Sequence, residues 1–333
     1  MNAITLDSTH DDKISLNEVV LPPLKPDEVR IAIHAAALNH RDEWCRQGKY
    51  PNIKDGVVLG SDGAGVVEEV GAEVDKSWLG QEVLVNPALE WGEEQKAQSK
   101  NFRILGMPDH GTIAEYLHIP VDNIYNKPNH LNIYQAAALP LAGLTAYRAL
   151  FYHAKVSKGA KVLVTGFGGG VAQFAAQFAI AAQADTYVSS GDPSKLYKAK
   201  EIGAKAGFDY KDPNWTREAL ALSGGFDIII DSAMGETLDN LLHVAKPGGK
   251  IVFFGATLGN PSGLNVRKVF WSQVTLQGTT MGSDQDFEDM LAFTNHHKIT
   301  PIIDAEFPIQ EAAKAFDRMK AGAQMGKIVI KIR

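Results

Sequence analysis

The order of apolar runs predicts an α/β protein, with a doubly wound parallel sheet over residues 131–282 inserted into a β-rich domain made of residues 1–130 and 283–333. Three observations carry this. Apolar strands alternate with helix-spaced segments from Lys161 onward, a glycine-packed turn follows the first of those strands, and short β-like runs fill the first third of the chain.

The β-like runs come first: Val29-Arg30-Ile31-Ala32-Ile33, Gly65 to Gly71 and Glu82-Val83-Leu84-Val85, each bounded by turn residues, suggest a small barrel-like domain. Next comes the strand Val162-Leu163-Val164-Thr165, then Gly166-Phe167-Gly168-Gly169-Gly170, then a helix opening at Val171 with Val171, Phe174, Phe178 and Ala182 on one face. Such a turn suits a dinucleotide pyrophosphate. Without Cβ atoms, main-chain amides and a helix N-terminus can approach the phosphates closely. Glycine turns also serve packing, so the βαβ context is what favours the phosphate reading. That context continues through Thr186 to Ser189, Phe208 to Tyr210, Ile228 to Asp231 and Ile251 to Phe254, with Leu238, Leu241, Leu242 and Ala245 on a helix face between them. Strands this uniformly apolar are covered by helices on both faces. The chain closes with a helix over Gln310 to Lys320 and a strand over Lys327 to Ile332, which needs a partner sheet that the N-terminal domain can supply. A cleft between the two domains is the expected site.

Composition narrows the function classes. A chain of 333 residues accommodates two cores, and a net charge of −6 lacks the basic footprint of a nucleic-acid binder. The lone Cys45 excludes an internal disulfide and a thiolate-rich metal site, and is best read as a small buried apolar residue. Met1 to Leu16 carries no secretion-type apolar core, and no stretch has the length of a membrane span. A cytoplasmic enzyme acting on a small molecule, with neither nucleic acid nor membrane as partner, is the expectation. The polar run Glu90 to Asn101 reads as a surface excursion.

Several blocks in order carry a family resemblance. They are Ala37-Leu38-Asn39-His40-Arg41-Asp42, Gln47 to Pro51, Leu59-Gly60-Ser61-Asp62-Gly63-Ala64-Gly65, Gly111 to Tyr116, Leu139 to Tyr147, the glycine turn, and Gln277 to Met281. Over essentially its whole length the chain resembles the medium-chain dehydrogenases/reductases, and within them the zinc-free quinone oxidoreductase branch. The resemblance implies a Rossmann domain inserted in a GroES-like catalytic domain. One departure is Ala172, where the branch usually places its last glycine.

The same resemblance implies where zinc ligands would stand: a Cys at Asn39, a His at Ser61 and a third ligand near Leu141. An amide, a hydroxyl and an alkyl chain are poor zinc donors, so no metal is expected. The relay Ser and His of the zinc enzymes would fall at Arg41 and Trp44. Quinones and conjugated enones suit metal-free reduction, since their π-systems spread the negative charge that a hydrogen-bond donor then meets. By similarity, Tyr50 is the candidate donor or substrate clamp, with Asn39 and Asp42 organising the site. Tyr50 is also open to a packing role before Pro51, and Asp42 to a structural one.

Coenzyme choice turns on the end of the second strand, where an NAD-selective domain carries a carboxylate. Ser190 stands there, Lys195 follows, and Tyr210 matches a phosphate-binding tyrosine of the branch; together they favour NADPH. Asp192 is the complication, and helix capping is its expected work. By similarity Gly166, Gly168, Gly169, Gly170 and Val171 hold the cofactor with Thr145, Asp231, Ser232, Gly255 and Ala256, although Thr145 is also open to a cap role. Val274 to Gln277 resembles the edge through which family members pair, implying a homodimer. Open alternatives are an alcohol dehydrogenase or enoyl-thioester reductase on the same scaffold, and a non-catalytic NADPH-binding sensor or structural protein.

Overall fold

A computed structural model describes residues 1–333, which divide into two compact units, Met1–Leu144 with Gly282–Arg333, and Thr145–Met281. The second junction lies between Met281 and Gly282. The first lies later than expected, because residues 131–144 belong with the β-rich unit rather than with the cofactor domain. Helix Ile133–Ala137 packs on strands Glu28–Ala37 and Asp62–Val70, and the Leu141 N–H donates to Asp62 Oδ1 at 2.8 Å, so this segment is held by the sheet that precedes it.

The first unit is built on a seven-stranded sheet. Its path runs Ile303–Pro308, Lys327–Lys331, Glu28–Ala37, Asp62–Val70, Glu82–Val85, Ile124–Asn126, with Tyr116–Pro120 also paired to Glu28–Ala37. The C-terminal strand finds the partner the sequence asks for. Lys327–Lys331 pairs antiparallel with Glu28–Ala37, Val329 facing Ala37 and Lys331 facing Ala35. Alternation along Glu28–Ala37 sends Val29, Ile31 and Ile33 into a core with Val67, Val83, Val85, Leu117 and Ile119. A second core, including Leu38, Leu59, Phe316, Ile328 and Ile330, lies under helix Ala312–Lys320. The run from Glu90 is indeed largely exposed, save Trp91, whose buried ring packs edge-on against Phe102.

The second unit is an all-parallel six-stranded sheet in the order Ala206–Asp209, Asp185–Ser190, Lys161–Val164, Phe226–Asp231, Ala245–Phe253, Thr275–Gly278. Order reverses between Lys161–Val164 and Phe226–Asp231, the position at which open α/β sheets bind ligands. Helix Gly170–Ala181 is more deeply buried than its amphipathic spacing implies: besides Phe174 and Phe178, it buries Ala172, Gln173, Ala175, Ala176 and Ala179. Alanines let neighbouring backbone approach from both sides, which apolar periodicity alone does not register. No helix is long and apolar enough to cross a membrane.

One local feature of the first unit has an electrostatic cost. Helix His40–Arg46 begins after Asn39, whose backbone N–H donates to Asp42 Oδ2 at 2.8 Å, while Asp42 Oδ1 has no partner. Asp42 is fully buried, and that burial pushes its carboxyl up to about 6 against the pull of the Arg41 charge. One turn on, Cys45 is buried and burial pushes its thiol up to about 12, which leaves it unreactive.

Because folded Asp42 keeps its proton to about pH 6 and the unfolded group releases it near 3.8, the protonated carboxyl favours folding at low pH and this advantage is lost as pH rises through that window. Asp42→Asn removes the titration. Urea unfolding of both proteins should show the wild type gaining about 2 kcal/mol on the variant between about pH 7.5 and 4.5. A difference independent of pH would mean that the carboxyl titrates normally.

Candidate active site

In the first unit the family's motif residues converge on a buried polar network. Asn39 ends strand-proximal chain and opens the helix, Ser61 and Asp62 enter the strand Asp62–Val70, and Lys327 opens the C-terminal strand. Lys327 Nζ donates to Asn39 Oδ1 at 2.6 Å and to Asp62 Oδ2 at 2.8 Å; Asn39 Nδ2 donates to the same Asp62 oxygen at 2.9 Å. Asp62 is 0% exposed and Lys327 2%. Two unlike charges at this depth must satisfy each other, and with the Leu141 amide both carboxylate oxygens have donors.

Arg41 organises the adjoining ground. Its Nη1 donates to Ser61 Oγ at 2.5 Å and to the Leu105 carbonyl at 2.6 Å, Nη2 reaches the Met107 carbonyl at 3.1 Å, and Nε donates to Tyr50 Oη at 3.3 Å. The guanidinium is buried and lies 4.8 Å from the Tyr50 ring centroid. Tyr50 itself is only partly buried, packed beside the core under Ala312–Lys320. With one oxygen lone pair taken by Arg41, the Tyr50 O–H is left to donate elsewhere. Asn39 is thus bonded to Asp42, and Tyr50 to Arg41, a residue between those two in the chain. Tyr50 presents a hydroxyl, Asn39 a clamped amide, and Asp42 lies beneath the surface as the acceptor for the Asn39 backbone. Asp42 therefore supports the site without facing it.

In the second unit the glycine turn occupies the carboxyl ends of the parallel strands. Gly166 and Gly168 take φ of +62° and +129°, and a Cβ on Gly168 would meet Lys195 Cδ at 2.6 Å. The lysine stem thus lies across the turn, with its ammonium beside the backbone that a phosphate would approach. Gly169 precedes helix Gly170–Ala181 without a side-chain cap, leaving first-turn N–H groups for an anion. Val171 belongs to that first turn.

Ser190 ends its strand, buried, and its Oγ accepts the Asp192 N–H at 3.4 Å. Asp192 caps helix Pro193–Glu201 by accepting the Ser194 N–H at 2.9 Å and the Ser194 hydroxyl at 2.7 Å, bonds that hold its carboxyl below the usual range. Tyr210 is 51% exposed and its ring lies against Gly191, where a Cβ would come within 2.9 Å of it. Lys211 crowds the same glycine, its Cε 2.6 Å from that position, and was not singled out from the sequence; a second cation after the strand-end tyrosine was the available signal.

The remaining cofactor candidates divide. Ser232 Oγ lies 3.7 Å from a Cβ position on Gly166, and Gly255 approaches the Ser232 carbonyl, so these loops meet the turn. Ala256 is exposed next to them. Asp231 is turned inward: it is buried, its Oδ1 accepts from Thr165 Oγ1 at 2.5 Å and its Oδ2 from the N–H groups of Ala233 and Met234 at 3.0 and 2.7 Å. Its work is to tie the two strand-end loops together. Thr145 is buried inside helix Pro140–Tyr147, five residues from its start, which removes the cap reading. Arg41 and Lys327 are the first-unit residues whose roles sequence reasoning missed, since their partners are distant in the chain.

The sequence and the fold are similar to those of known proteins. Residues 25–129 match the family described as alcohol dehydrogenase GroES-like domain, and residues 170–296 the one described as zinc-binding dehydrogenase. A zinc-type alcohol dehydrogenase-like protein of Leptosphaeria maculans is 35% identical, the match covering 96% of this chain and 94% of that protein. A mouse quinone oxidoreductase is 28% identical over 94% of this chain and 92% of its own length. Among solved structures, an NAD-dependent alcohol dehydrogenase superposes with a TM-score of 0.93 at 32% identity, each chain fully covered. Likeness of this level along the whole length, on a doubly wound sheet inserted in a GroES-like unit, means that the chain belongs to the medium-chain dehydrogenase/reductase superfamily.

Proposed function

We propose that this oxidoreductase reduces a quinone, an enone or a related conjugated carbonyl with NADPH, and that it does so without zinc. The observation that carries the reading is the Arg41–Tyr50 pair. Arg41 is anchored by Ser61 and main-chain carbonyls, so its charge stays beside the Tyr50 hydroxyl throughout. A proton donor backed by a fixed cation meets the negative oxygen that develops as an acceptor carbonyl is reduced, and preorganisation spares reorganisation at that moment. When bound, NADPH supplies the hydride to the acceptor carbon. Tyr50 then gives its proton to the oxygen and regains one from solvent.

The donor set argues against zinc on chemical grounds. At the motif positions, Asn39 is engaged by Lys327 and Asp62, Ser61 accepts from Arg41 and donates to the Leu105 carbonyl, and Leu141 has no side-chain donor. Two buried cations already stand among these groups, and a divalent ion there would be opposed by both.

NADPH fits the second unit for three reasons. Gly166 and Gly168 hold the turn in positive φ, the Lys195 side chain lies across Gly168, and Ser190 replaces the carboxylate that would repel a 2′-phosphate. Tyr210 and Lys211 flank Gly191 at the same corner. NAD-dependent alcohol oxidation is the second reading, favoured by the close superposition on an alcohol dehydrogenase so named. The lone buried Cys45 suits a reducing cytoplasm. We also propose a homodimer. Thr275–Gly278 is the terminal strand of the parallel sheet, and the helix before it, Val266–Trp271, exposes Phe270 and Trp271 by 64% and 82%, which a second copy would cover.

Metal-stripped enzyme should oxidise NADPH with quinone or enone acceptors at an undiminished rate, and Tyr50→Phe should lower kcat about 100-fold with NADPH affinity retained. An absolute need for added zinc, or an unaltered Tyr50→Phe enzyme, contradicts the mechanism. In cofactor-fluorescence titrations, Lys195→Ala should weaken NADPH binding about 10-fold; an unchanged affinity would remove Lys195 from the phosphate site. Light scattering should give a dimer that Trp271→Glu converts to monomer, and a monomeric wild type would refute the assembly.

A further inference from the structure

The Lys327–Asn39–Asp62 cluster has a feature that stability alone does not require. An ammonium buried to 2% exposure is spent on the carbonyl oxygen of a neutral amide as well as on a carboxylate, and the amide contact is the shorter, 2.6 against 2.8 Å. The pairing of Lys327–Lys331 with Glu28–Ala37 brings it there from the far end of the chain. Asn39 is thereby held at three points: Oδ1 by Lys327, one Nδ2–H by Asp62, and its backbone N–H by Asp42. The amide retains a second Nδ2–H, and Asn39 keeps 8% exposure.

A cation on an amide oxygen draws electron density from its nitrogen, so the remaining N–H becomes a stronger donor. We propose that Lys327 is a positioning residue, an internal cation that orients and polarises the Asn39 carboxamide so that its free N–H is offered to the acceptor oxygen beside Tyr50. The effect on turnover rests on the function proposed above; the clamp itself does not. Asp62 balances the charge, which keeps the cluster neutral as a whole and lets a lysine reside at this depth.

Lys327→Met alone leaves Asp62 buried without its cation and endangers folding, so the informative variant is the charge-balanced Lys327→Met/Asp62→Asn, with Lys327→Arg as the conservative control. The first readout is NMR of the Asn39 side-chain amide pair in 15N-labelled protein, assigned by its disappearance in Asn39→Ala. The wild type should show two separated, slowly exchanging protons, and the double variant should move them into the exchange-averaged range with water exchange at least about 10-fold faster. The second is steady-state kinetics with a quinone or enone: kcat about 10-fold lower in the double variant, NADPH affinity within about twofold, and substantial recovery in Lys327→Arg. Asn39 amide signals that are the same in wild type and double variant, or a folded double variant with wild-type kcat, would overturn the assignment. If the wild type reduces no acceptor, the proposed function falls, and the amide signals still decide whether the Lys327–Asp62 pair clamps Asn39.

Discussion

The pairing of a buried ammonium with a buried carboxylate, Lys327 with Asp62, is the constraint on which the first unit turns. Either charge alone at this depth would cost several kcal/mol. Together they demand that the last strand of the chain lie beside the strand that carries Asn39 toward its helix, because only that pairing brings Lys327 within reach. The register Val329 with Ala37 delivers it. Around this pair, the Leu141 amide and the Asn39 carboxamide complete the carboxylate's shell, which also explains why residues 131–144 stay with this unit. Polar satisfaction and chain topology are the same problem here.

A second arrangement of charge lies alongside it. Arg41 takes the place where zinc enzymes of the superfamily have a relay hydroxyl, and it spends its donors on Ser61, on carbonyls of the 104–107 loop and on Tyr50. The loop fixes the guanidinium, and the guanidinium fixes the phenol. In the metal-free scheme proposed above, such cations, which cannot dissociate and stand beside groups able to donate a hydrogen bond, would substitute for Lewis acidity. In the second unit, backbone freedom has the corresponding role. Gly166 and Gly168 adopt positive φ, Asp231 ties the loop that follows it to Thr165, and the loop after Phe253 bonds to that loop through the Phe254 and Thr257 N–H groups.

How legible this was in the sequence depended on the range of the interaction. The doubly wound sheet was legible from Val162 to Phe254, because apolar runs, glycine turns and helix spacing are local patterns. So was the need of the C-terminal strand for a partner. The glycine turn, Ser190, Lys195 and Tyr210 could be placed on the fold for the same reason, as each has a fixed position relative to a strand end. What strand-end position does not report is direction: both oxygens of Asp231 turn inward to Thr165, Ala233 and Met234. The domain boundary erred because a short helix after a loop gives no sign of which sheet it will cover.

By itself the sequence determined the two-unit α/β plan, the glycine-packed strand-to-helix turn and the absence of good zinc donors at Asn39, Ser61 and Leu141, since these follow from residue type and short-range spacing. Only the tertiary structure decided what stands there instead. Lys327 lies 288 residues from Asn39 in the chain, and Arg41 reaches carbonyls more than 60 residues away. No periodicity encodes such meetings; they arise when strand pairing closes the sheet and buried charges are forced to find one another.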